Sequence, residues 1–453
     1  MRSWHDVLKQ TSNVTDFLPA AQKVYSDIAQ RAAYVGAGID LFGCSLDQLG
    51  VLEMRDLCEK TGGLLCLADS FSSHVFRDTL LRQFDDSLWT DAMLGLNARI
   101  SLLTSGEVKV AGAVGNCCGT GKAHSSVSTN EEIGEGSTNE WAAGVLDSSS
   151  SLCFFFEKAM NRAEESVDEM HLKAGYIQFQ TAYNDPNGQR RVRITTVARG
   201  FACPALTDIS HGFDDEAAAV VLARYAVSLL SNPLADSADV VRKVDRSLIR
   251  LASRFANYNK GDVASFHLPE ELVALPQFVY NLRRSQFLNH FNCSPDESAF
   301  YRASLFREAV SPALLMIQPS LVEYSFEAPM GRHVLLDSKS LKSKVLLLLD
   351  CYFHVVVWRG ETIQQWCEAG YHEKEEHANL KELLENPARD ALYLLRERSV
   401  VPKFIQTYAN GSQARFLMNR VNPNAGDVVT EDVGLKGFME SLINFCVSGE
   451  EVA

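Results

Sequence analysis

Two apolar runs meet in the stretch Val345-Leu346-Leu347-Leu348-Leu349-Asp350-Cys351-Tyr352-Phe353-His354-Val355-Val356-Val357-Trp358. Short, uninterrupted apolar runs of this kind predict strands. Helical patterns follow at residues 380–384 and 391–396, and further apolar residues occur at 400–405. We therefore expect residues 318–426 to form one mixed domain in which helices cover a sheet.

The segments outside this domain have different patterns. Residues 1–92 alternate helix and strand patterns, residues 93–209 are rich in strands and end in a hairpin, and residues 210–317 have a helical period. Residues 427–453 carry one apolar helical stripe, which predicts a last helix packed on the helical domain. The sequence thus predicts a multidomain α+β fold.

Two local patterns make these predictions more specific. Ser294-Pro295-Asp296-Glu297 combines an N-cap, a first-turn proline and a reciprocal glutamate, which predicts the start of a helix. In residues 1–92 only two strands are visible, at 39–44 and 64–67. A parallel sheet of two strands leaves unpaired edges, so this segment is expected to be part of a larger α/β domain.

Composition excludes several classes of protein. The net charge of −14 argues against nucleic-acid binding, because phosphate neutralisation needs a basic surface. The eleven cysteines show no Cys-x-x-Cys spacing, so we expect reduced thiols and no metal site. No run approaches the roughly 20 apolar residues of a membrane span, which predicts a cytosolic chain.

The candidate functional residue is Arg415, within Gly411-Ser412-Gln413-Ala414-Arg415-Phe416. A guanidinium on a glycine-led loop can be offered to a partner, because loops lie at the surface. Taken alone, one arginine in a loop is usually an ordinary solvated cation. The rest of the chain has to decide between these two interpretations.

A second candidate is a basic row at helical spacing, formed by Arg242, Arg246, Arg250 and Arg254. The four side chains fall four residues apart, beside an apolar stripe on the same predicted helix. Such a row is commonly a solvated face. The alternative is contact with an acidic partner or with anionic lipid head groups.

Several ordered segments, spread over the whole chain, carry a family resemblance. They are residues 2–6, 46–54, 189–196, 274–278, 282–285, 294–298, 360–366 and 411–416. Together they resemble the GTPase-activating subunits of the inner shell of the COPII vesicle coat. The resemblance implies a von Willebrand-like trunk, a β-sandwich, a zinc finger, an all-helical domain and a gelsolin-like domain.

The resemblance also implies how this chain departs from the family. Met1 falls inside the trunk, so the zinc finger and the first half of the trunk are expected to be absent, and with them the family's zinc site. An incomplete gene model, a short paralogue and a cloned fragment are all compatible with this. We expect residues 1–92 to be a partial trunk, followed by the β-sandwich, helical and gelsolin-like domains and a C-terminal helix.

The resemblance assigns a function to Arg415. In the family, the arginine of Gly-Ser-Gln-Ala-Arg enters the nucleotide site of a small Sar-type GTPase in trans, with Gly411, Ser412, Gln413 and Ala414 facing that partner. GTP and magnesium then belong to the GTPase. The other implied partners are the cargo-binding adaptor subunit, the outer-coat subunits and the membrane surface of the endoplasmic reticulum, where the chain would be a cytoplasmic, peripheral protein.

Two other functions remain open. The chain could be an interaction protein that binds coat partners without stimulating GTP hydrolysis, because half of its trunk is expected to be absent. Alternatively, the gelsolin-like domain could act as an actin or calcium module, although a single copy rather than a tandem array argues against this.

Overall fold

The structure is a computed structural model. It describes residues 3, 4, 7, 13–85, 94–159, 174–201, 209–231, 235–289, 293–422 and 433–448. The predicted boundaries at 92 and 426 lie outside these residues. The chain divides into two compact units. The first consists of Met1–Leu251, Leu268–Leu275 and Arg283–Val310, and the second of Ala252–His267, Pro276–Leu282 and Ser311–Ala453.

The first unit begins with an α/β segment around two parallel strands. Leu41 pairs with Leu65 at the start of the sheet and Cys44 with Ala68 at its end. Within the described residues no third strand joins this sheet, in agreement with the two strands predicted. The elements in order are α1 (Asn13–Val35), β1 (Leu41–Cys44), α2 (Val51–Met54), α3 (Asp56–Glu59), β2 (Leu65–Ala68) and α4 (His74–Arg82).

A β-sandwich follows in the same unit. Its strands are β3 (Gly95–Thr104), β4 (Val108–Gly115), β5 (Cys118–Gly119), β6 (Ile133–Gly134), β7 (Glu140–Leu146), β8 (Leu152–Lys158), β9 (Ala174–Asn184) and β10 (Arg190–Gly200). The larger sheet has the strand order β10-β9-β3-β7-β5 and the smaller sheet the order β6-β4-β8. Ile100, Leu102, Val110 and Trp141 are buried in the core of the sandwich.

The helical region contains α5 (Asp215–Leu229), α6 (Ser237–Phe255), α7 (Leu275–Arg283), α8 (Pro295–Arg307) and α9 (Val310–Ile317). The predicted start of α8 is confirmed, since Ser294 and Glu297 form a reciprocal capping box. Asp296, which lies between these two residues, has a role that the capping motif did not predict. Its buried carboxylate accepts hydrogen bonds from the backbone N–H groups of Leu49 (2.6 Å), Gly50 (3.0 Å) and Leu52 (3.3 Å), and so caps α2.

Buried arginines connect distant parts of the first unit. Arg307, at the end of α8, pairs with Asp147 and donates to Ser149 Oγ at 2.8 Å. Arg224 of α5 donates from Nε to the carbonyl oxygen of Leu305 at 2.8 Å. Because buried charges are costly unless they are paired or hydrogen-bonded, these contacts fix the relative positions of the segments they join.

The second unit contains a hairpin that the helical period of residues 210–317 did not predict. Its strands are β11 (Asn257–Asn259) and β12 (Asp262–His267). The turn between them includes Gly261 with a φ of 84°, a conformation that favours glycine. The C-terminal helix α13 (Leu435–Ser448) lies against this hairpin, and the N–H of Gly261 donates to the carbonyl oxygen of Val447 at 3.2 Å.

A five-stranded sheet forms the centre of the mixed domain in the second unit. Its strands are β13 (Ser320–Tyr324), β14 (Arg332–His333), β15 (Leu346–Asp350), β16 (His354–Arg359) and β17 (Lys403–Tyr408). Their order in the sheet is β14-β13-β15-β16-β17. The two strands predicted from the apolar runs are β15 and β16, which pair antiparallel, whereas β16 and β17 are parallel.

Both faces of this sheet are covered. Leu347 and Leu349 face one core and Leu346 and Leu348 the other. The second core is closed by α10 (Glu361–Glu368) and α11 (Ala378–Glu397). The structure joins the two predicted helical patterns into the single helix α11, which continues through Pro387 because residues on both sides of the proline pack on the same face of the sheet.

The described part of the chain contains no helix that is both long and apolar enough to cross a bilayer. Its ten cysteines are all free thiols.

The buried ion pair between Asp147 and Arg307 leads to a prediction about stability. Burial raises the pKa of the Asp147 carboxyl, but Arg307 and the hydroxyl groups of Ser149 and Ser150 lower it more, so it lies below its usual value. Asp147→Asn should lower the free energy of unfolding by about 2 kcal/mol at pH 7, because it removes one of the two carboxylates that pair with the buried guanidinium, the other being that of Glu308. Urea unfolding followed by circular dichroism measures this.

The control is Asp239→Asn, which removes the exposed carboxylate that pairs with Arg242 and should change stability little. The advantage of the parent protein over Asp147→Asn should begin to decrease as the pH falls below about 4 and should be lost once the pH passes below the lowered pKa of the folded carboxyl. Equal effects of the two substitutions at pH 7 would contradict a structural role for the buried pair.

Glu59 on α3 leads to a prediction in which stability depends on pH in the opposite direction. Burial raises its pKa to about 7, although Arg55 counteracts this, and its Oε1 has no hydrogen-bond partner among the described residues. The stability of the parent protein should therefore decrease as the pH rises from about 4 to 7. Glu59→Gln should be more stable than the parent by about 2–4 kcal/mol at pH 8 and gain little at pH 4. Urea unfolding at both pH values tests this, and a gain that does not depend on pH would refute it.

Candidate functional site

The candidate loop begins where β17 ends. Asn410 has a φ of 69°, in the left-handed region, and the N–H of Gly411 donates to the carbonyl oxygen of Tyr408 at 2.9 Å. A Cβ atom at position 411 would lie 2.9 Å from Thr407 Oγ1 and 3.1 Å from Tyr408 O. A glycine is therefore needed for the chain to turn this closely against its own strand.

After Gly411 the chain forms one 3₁₀ turn, Ser412–Ala414, and then the short helix α12 (Arg415–Met418). The N–H of Ala414 donates to the carbonyl oxygen of Gly411 at 3.0 Å. The N–H of Asn419 donates to the carbonyl oxygen of Arg415, also at 3.0 Å. Local hydrogen bonds on both sides of Arg415 thus define its backbone.

Two buried side chains hold this backbone on the sheet. Leu417 is fully buried and Ala414 is 8% exposed, and both belong to the core that covers one face of the five-stranded sheet. Phe416 packs against the edge of the same core. Because the residues before and after Arg415 are anchored, its Cα has a fixed position relative to the sheet.

The side chain of Arg415 points away from this anchor and is exposed. Its Cζ atom lies 5.3 Å from the centre of the Phe416 ring. The opposite neighbour of Phe416 is His354 of β16, with ring centres 5.0 Å apart and an angle of 38° between the planes. A cation over an exposed aromatic ring gains about 0.5–1 kcal/mol, which is enough to orient the guanidinium but not to hold it.

No carboxylate in the described part of the chain pairs with Arg415. Another arginine of the same domain, Arg398, donates to Oδ2 of Asp350, at the end of β15, at 2.6 Å. Arg398 is further held over the ring of Tyr352 at 5.0 Å. The two arginines thus differ in use, since Arg398 is part of the internal structure while Arg415 is available to another molecule.

The residues predicted to face a partner divide into two groups. Ser412 and Gln413 are exposed and Gly411 is half-buried, so they lie at the surface beside Arg415. The expectation that Ala414 faces a partner is wrong, because its methyl group is buried in the core. A small residue is needed there for packing beneath the loop.

The basic row lies on α6, as its spacing predicted. Arg242, Arg250 and Arg254 are exposed and Arg246 is half-buried. Arg242 pairs with Asp239 one turn earlier on the helix. Among the described residues, the other three arginines have no ion-pair partner. The row can therefore offer three unpaired cations along one helix face.

The described residues contain no group of three or more His, Cys, Asp or Glu side chains that could hold a metal ion. The loop also contains no general base or nucleophile with a lowered pKa, so its chemistry is that of a cation. A guanidinium can donate two parallel hydrogen bonds to anionic oxygens and keeps its charge at any physiological pH.

The contact between Phe416 and His354 was not predicted from the sequence. His354 lies at the start of β16, opposite Lys403, whereas the loop begins after Tyr408, opposite Arg359 at the other end of β16. The chain after Gly411 therefore turns back along β16 and brings Phe416 to His354. No pattern in the sequence signals this contact. The alternation of residues on β16 does, however, place His354 on the same face of the sheet as Val356, which lies in the core beneath Leu417.

The anchoring of the loop can be tested with two adjacent residues of α12. Leu417→Ala should lower the free energy of unfolding by about 2–5 kcal/mol, because it opens a cavity in the core beneath Arg415. Met418 is 50% exposed, and Met418→Ala should cost less than about 0.5 kcal/mol. Urea unfolding measures the free energy of unfolding of both variants. A similar decrease in both would show that the loop is not held by Leu417.

Comparison with known domain families matches four consecutive segments. Residues 2–86 match the Sec23/Sec24 trunk domain, residues 95–202 the Sec23/Sec24 beta-sandwich domain and residues 214–315 the Sec23/Sec24 helical domain. Residues 327–417 match the gelsolin repeat, which includes Arg415.

A solved structure with a similar fold is that of the human COPII-coat protein Sec24c. The TM-score is 0.73 at 15% sequence identity, and the match covers 94% of this chain and 53% of that one. The chain thus spans about half the length of the structure that it matches. Because three domain models of one family match in order along more than half of the sequence, the chain belongs to the Sec23/Sec24 family.

Proposed function

We propose that this chain is a COPII coat subunit that stimulates GTP hydrolysis by a small Sar-type GTPase through Arg415. The observation that carries the proposal is the state of this side chain. It is exposed, has no carboxylate partner among the described residues and lies on a loop that is anchored on both sides. Its place in a gelsolin repeat of a Sec23/Sec24 family chain and the resemblance of Gly411-Ser412-Gln413-Ala414-Arg415 to the activating loop support the same role.

The chemistry of phosphoryl transfer suits such a residue. Negative charge spreads over the γ-phosphate oxygens in the transition state, and an arginine supplied in trans stabilises it by on the order of 10³–10⁵ in rate. The nucleotide, the magnesium ion and the attacking water belong to the GTPase. Arg415 contributes a planar donor that reaches two oxygens at once, while Ser412 and Gln413 contact the GTPase surface around it.

The anchoring explains why the arginine can act without being ordered first by its partner. Docking has to move only the side chain, which leaves a contact worth about 0.5–1 kcal/mol with the ring of Phe416. The backbone is already in place, so little of the binding energy is spent on ordering the loop.

The other proposed partners are inferred from membership of the family and not from the geometry of the loop that carries Arg415. The Sec24c structure is that of a COPII-coat protein, and we propose the same setting for this chain. It would lie on the cytoplasmic side of the endoplasmic reticulum membrane with a cargo-binding adaptor and outer-coat subunits. The unpaired arginines Arg246, Arg250 and Arg254 are the candidate contact with acidic partners or anionic head groups.

Arg415→Ala should lower stimulated GTP hydrolysis by about 100-fold or more and change binding little, because the side chain acts mainly on the transition state. Arg415→Lys should restore little of the activity, since an ammonium group cannot reproduce the planar, two-pronged contact. Single-turnover hydrolysis with the GTP-loaded GTPase measures the first effect, and equilibrium binding to the same GTPase measures the second.

The matched control is Arg389→Ala, which removes an exposed arginine of α11 in the same domain. It should leave stimulation unchanged. If Arg415→Ala stimulates hydrolysis as well as the parent protein does, Arg415 is not the activating residue.

A second candidate is a coat scaffold that binds the GTPase without stimulating it. It is favoured by the segment that matches the trunk domain, in which the described residues hold a sheet of only two strands. The same two assays separate the candidates. Binding of the GTP-loaded GTPase by the parent protein with no increase in hydrolysis would support the scaffold and exclude the activator.

A further inference from the structure

The outermost strand of the sandwich, β10, forms a long and open edge. It pairs with β9 over eleven residues, from Arg190 with Asn184 to Gly200 with Ala174, without a bulge. Among the described residues, no strand pairs with its other side. All of its residues except Val197 are exposed. A regular edge of this length, without a bulge or a proline, is a template for a further strand.

The pairing fixes which backbone groups point outward. The N–H of Asp185 donates to the carbonyl oxygen of Gln189 at 2.9 Å, so these two residues form a hydrogen-bonded pair at the hairpin end. In an antiparallel ladder such pairs alternate with non-bonded ones. The N–H and C=O groups of Val192, Ile194, Thr196 and Ala198 therefore face away from β9. They form a row of donors and acceptors with the period of a strand.

The side chains of these four residues share one face of the sheet and are small or β-branched. Val192 is 62% exposed and Ile194 is 60% exposed. Exposed β-branched residues on an open edge favour packing against the side chains of an added strand.

The opposite face of β10 is basic. Arg191, Arg193 and Arg199 lie on it, with Thr195 and Val197 between the last two, whereas Arg190 shares the face of Val192. The hairpin from Ala174 to Gly200 contains four arginines and no lysine, and its single acidic residue is Asp185. Its net charge is thus +3 in a chain whose net charge is −14. Arg191 is paired with Asp185 at 3.0 Å, whereas Arg193 and Arg199 have no carboxylate partner among the described residues.

We infer that β10 binds an extended acidic segment of a partner protein by strand addition. The backbone row needs a partner that is itself extended, and Arg193 and Arg199 select one with carboxylates opposite them. A second copy of this chain fits poorly, because pairing two β10 strands would bring their arginines together. A lipid surface would satisfy the charges but not the row of backbone groups.

The inference can be tested with a defined probe, a fluorescent ten-residue peptide that alternates glutamate and valine and is blocked at both ends. Its glutamates would meet Arg193 and Arg199, and its valines would meet Val192 and Ile194. Fluorescence anisotropy with the full chain should show saturable binding that weakens as salt is added. A peptide with lysine in place of glutamate should not bind. A peptide with proline at alternate positions should bind at least about 10-fold more weakly, since it cannot form the ladder.

Two variants of the chain complete the test. Arg193→Glu combined with Arg199→Glu should weaken binding of the glutamate peptide by about 10-fold or more, from the loss and reversal of two exposed charge contacts. Thr196→Pro removes one outward N–H at an edge position that tolerates proline, and it should weaken binding relative to its control Thr196→Val, which keeps that donor. Thermal unfolding checks that the variants remain folded.

The results of these experiments distinguish an added strand from other molecules that β10 could bind. If the proline-containing peptide binds as well as the glutamate peptide, the contact is purely electrostatic and strand addition is wrong. If the glutamate peptide does not bind while vesicles containing phosphatidylserine do, and the double charge reversal releases those vesicles, β10 is a membrane contact. Because no GTPase takes part in these assays, their outcome does not depend on the role of Arg415.

Discussion

The exposure of Arg415 depends on the burial of its neighbours. Ala414 and Leu417 occupy the core on one face of the five-stranded sheet, and the chain between them has room for only one turn. The side chain that faces neither the core nor the strand is that of Arg415. The sheet can support the loop because its two central strands are apolar on both faces, so that one face is covered by α11 and the other by the loop region. A change in the core therefore acts on the position of the arginine through Ala414, Phe416 and Leu417.

The chain uses its arginines in two ways. Arg224, Arg302 and Arg307 are buried, and each donates to backbone carbonyl oxygens or to a carboxylate within the first unit. Their hydrogen bonds are made inside the unit, so they contribute to the structure. Arg415 of the loop, Arg246, Arg250 and Arg254 of α6, and Arg193 and Arg199 of β10 have no carboxylate partner among the described residues. An acidic chain that keeps unpaired cations in a few defined places limits the sites at which it can attract anionic molecules.

Much of the fold could be predicted from residues whose pattern is local. The runs at 345–349 and 354–358 predicted β15 and β16, and Ser294 with Glu297 predicted the start of α8, because periodicity and capping depend on neighbours in sequence. Features set by packing between distant residues were missed. They include the continuity of α11 through Pro387, the hairpin around Gly261 and the stacking of Phe416 on His354. Of the candidate site, the exposure of Arg415 was predictable, whereas the burial of Ala414 was not, since small residues occur in loops and cores alike.

The cap that Asp296 places on α2 has a consequence for protein synthesis. Its carboxylate accepts from backbone groups up to 247 residues earlier in the chain. At about 5–20 residues per second, a ribosome needs roughly 10 to 50 seconds to advance from Leu49 to Asp296. During that interval the amides at residues 49–52 have no protein partner and remain hydrated. The amino-terminal segment thus completes its structure late in translation, and its folding depends on the arrival of a helix encoded far downstream.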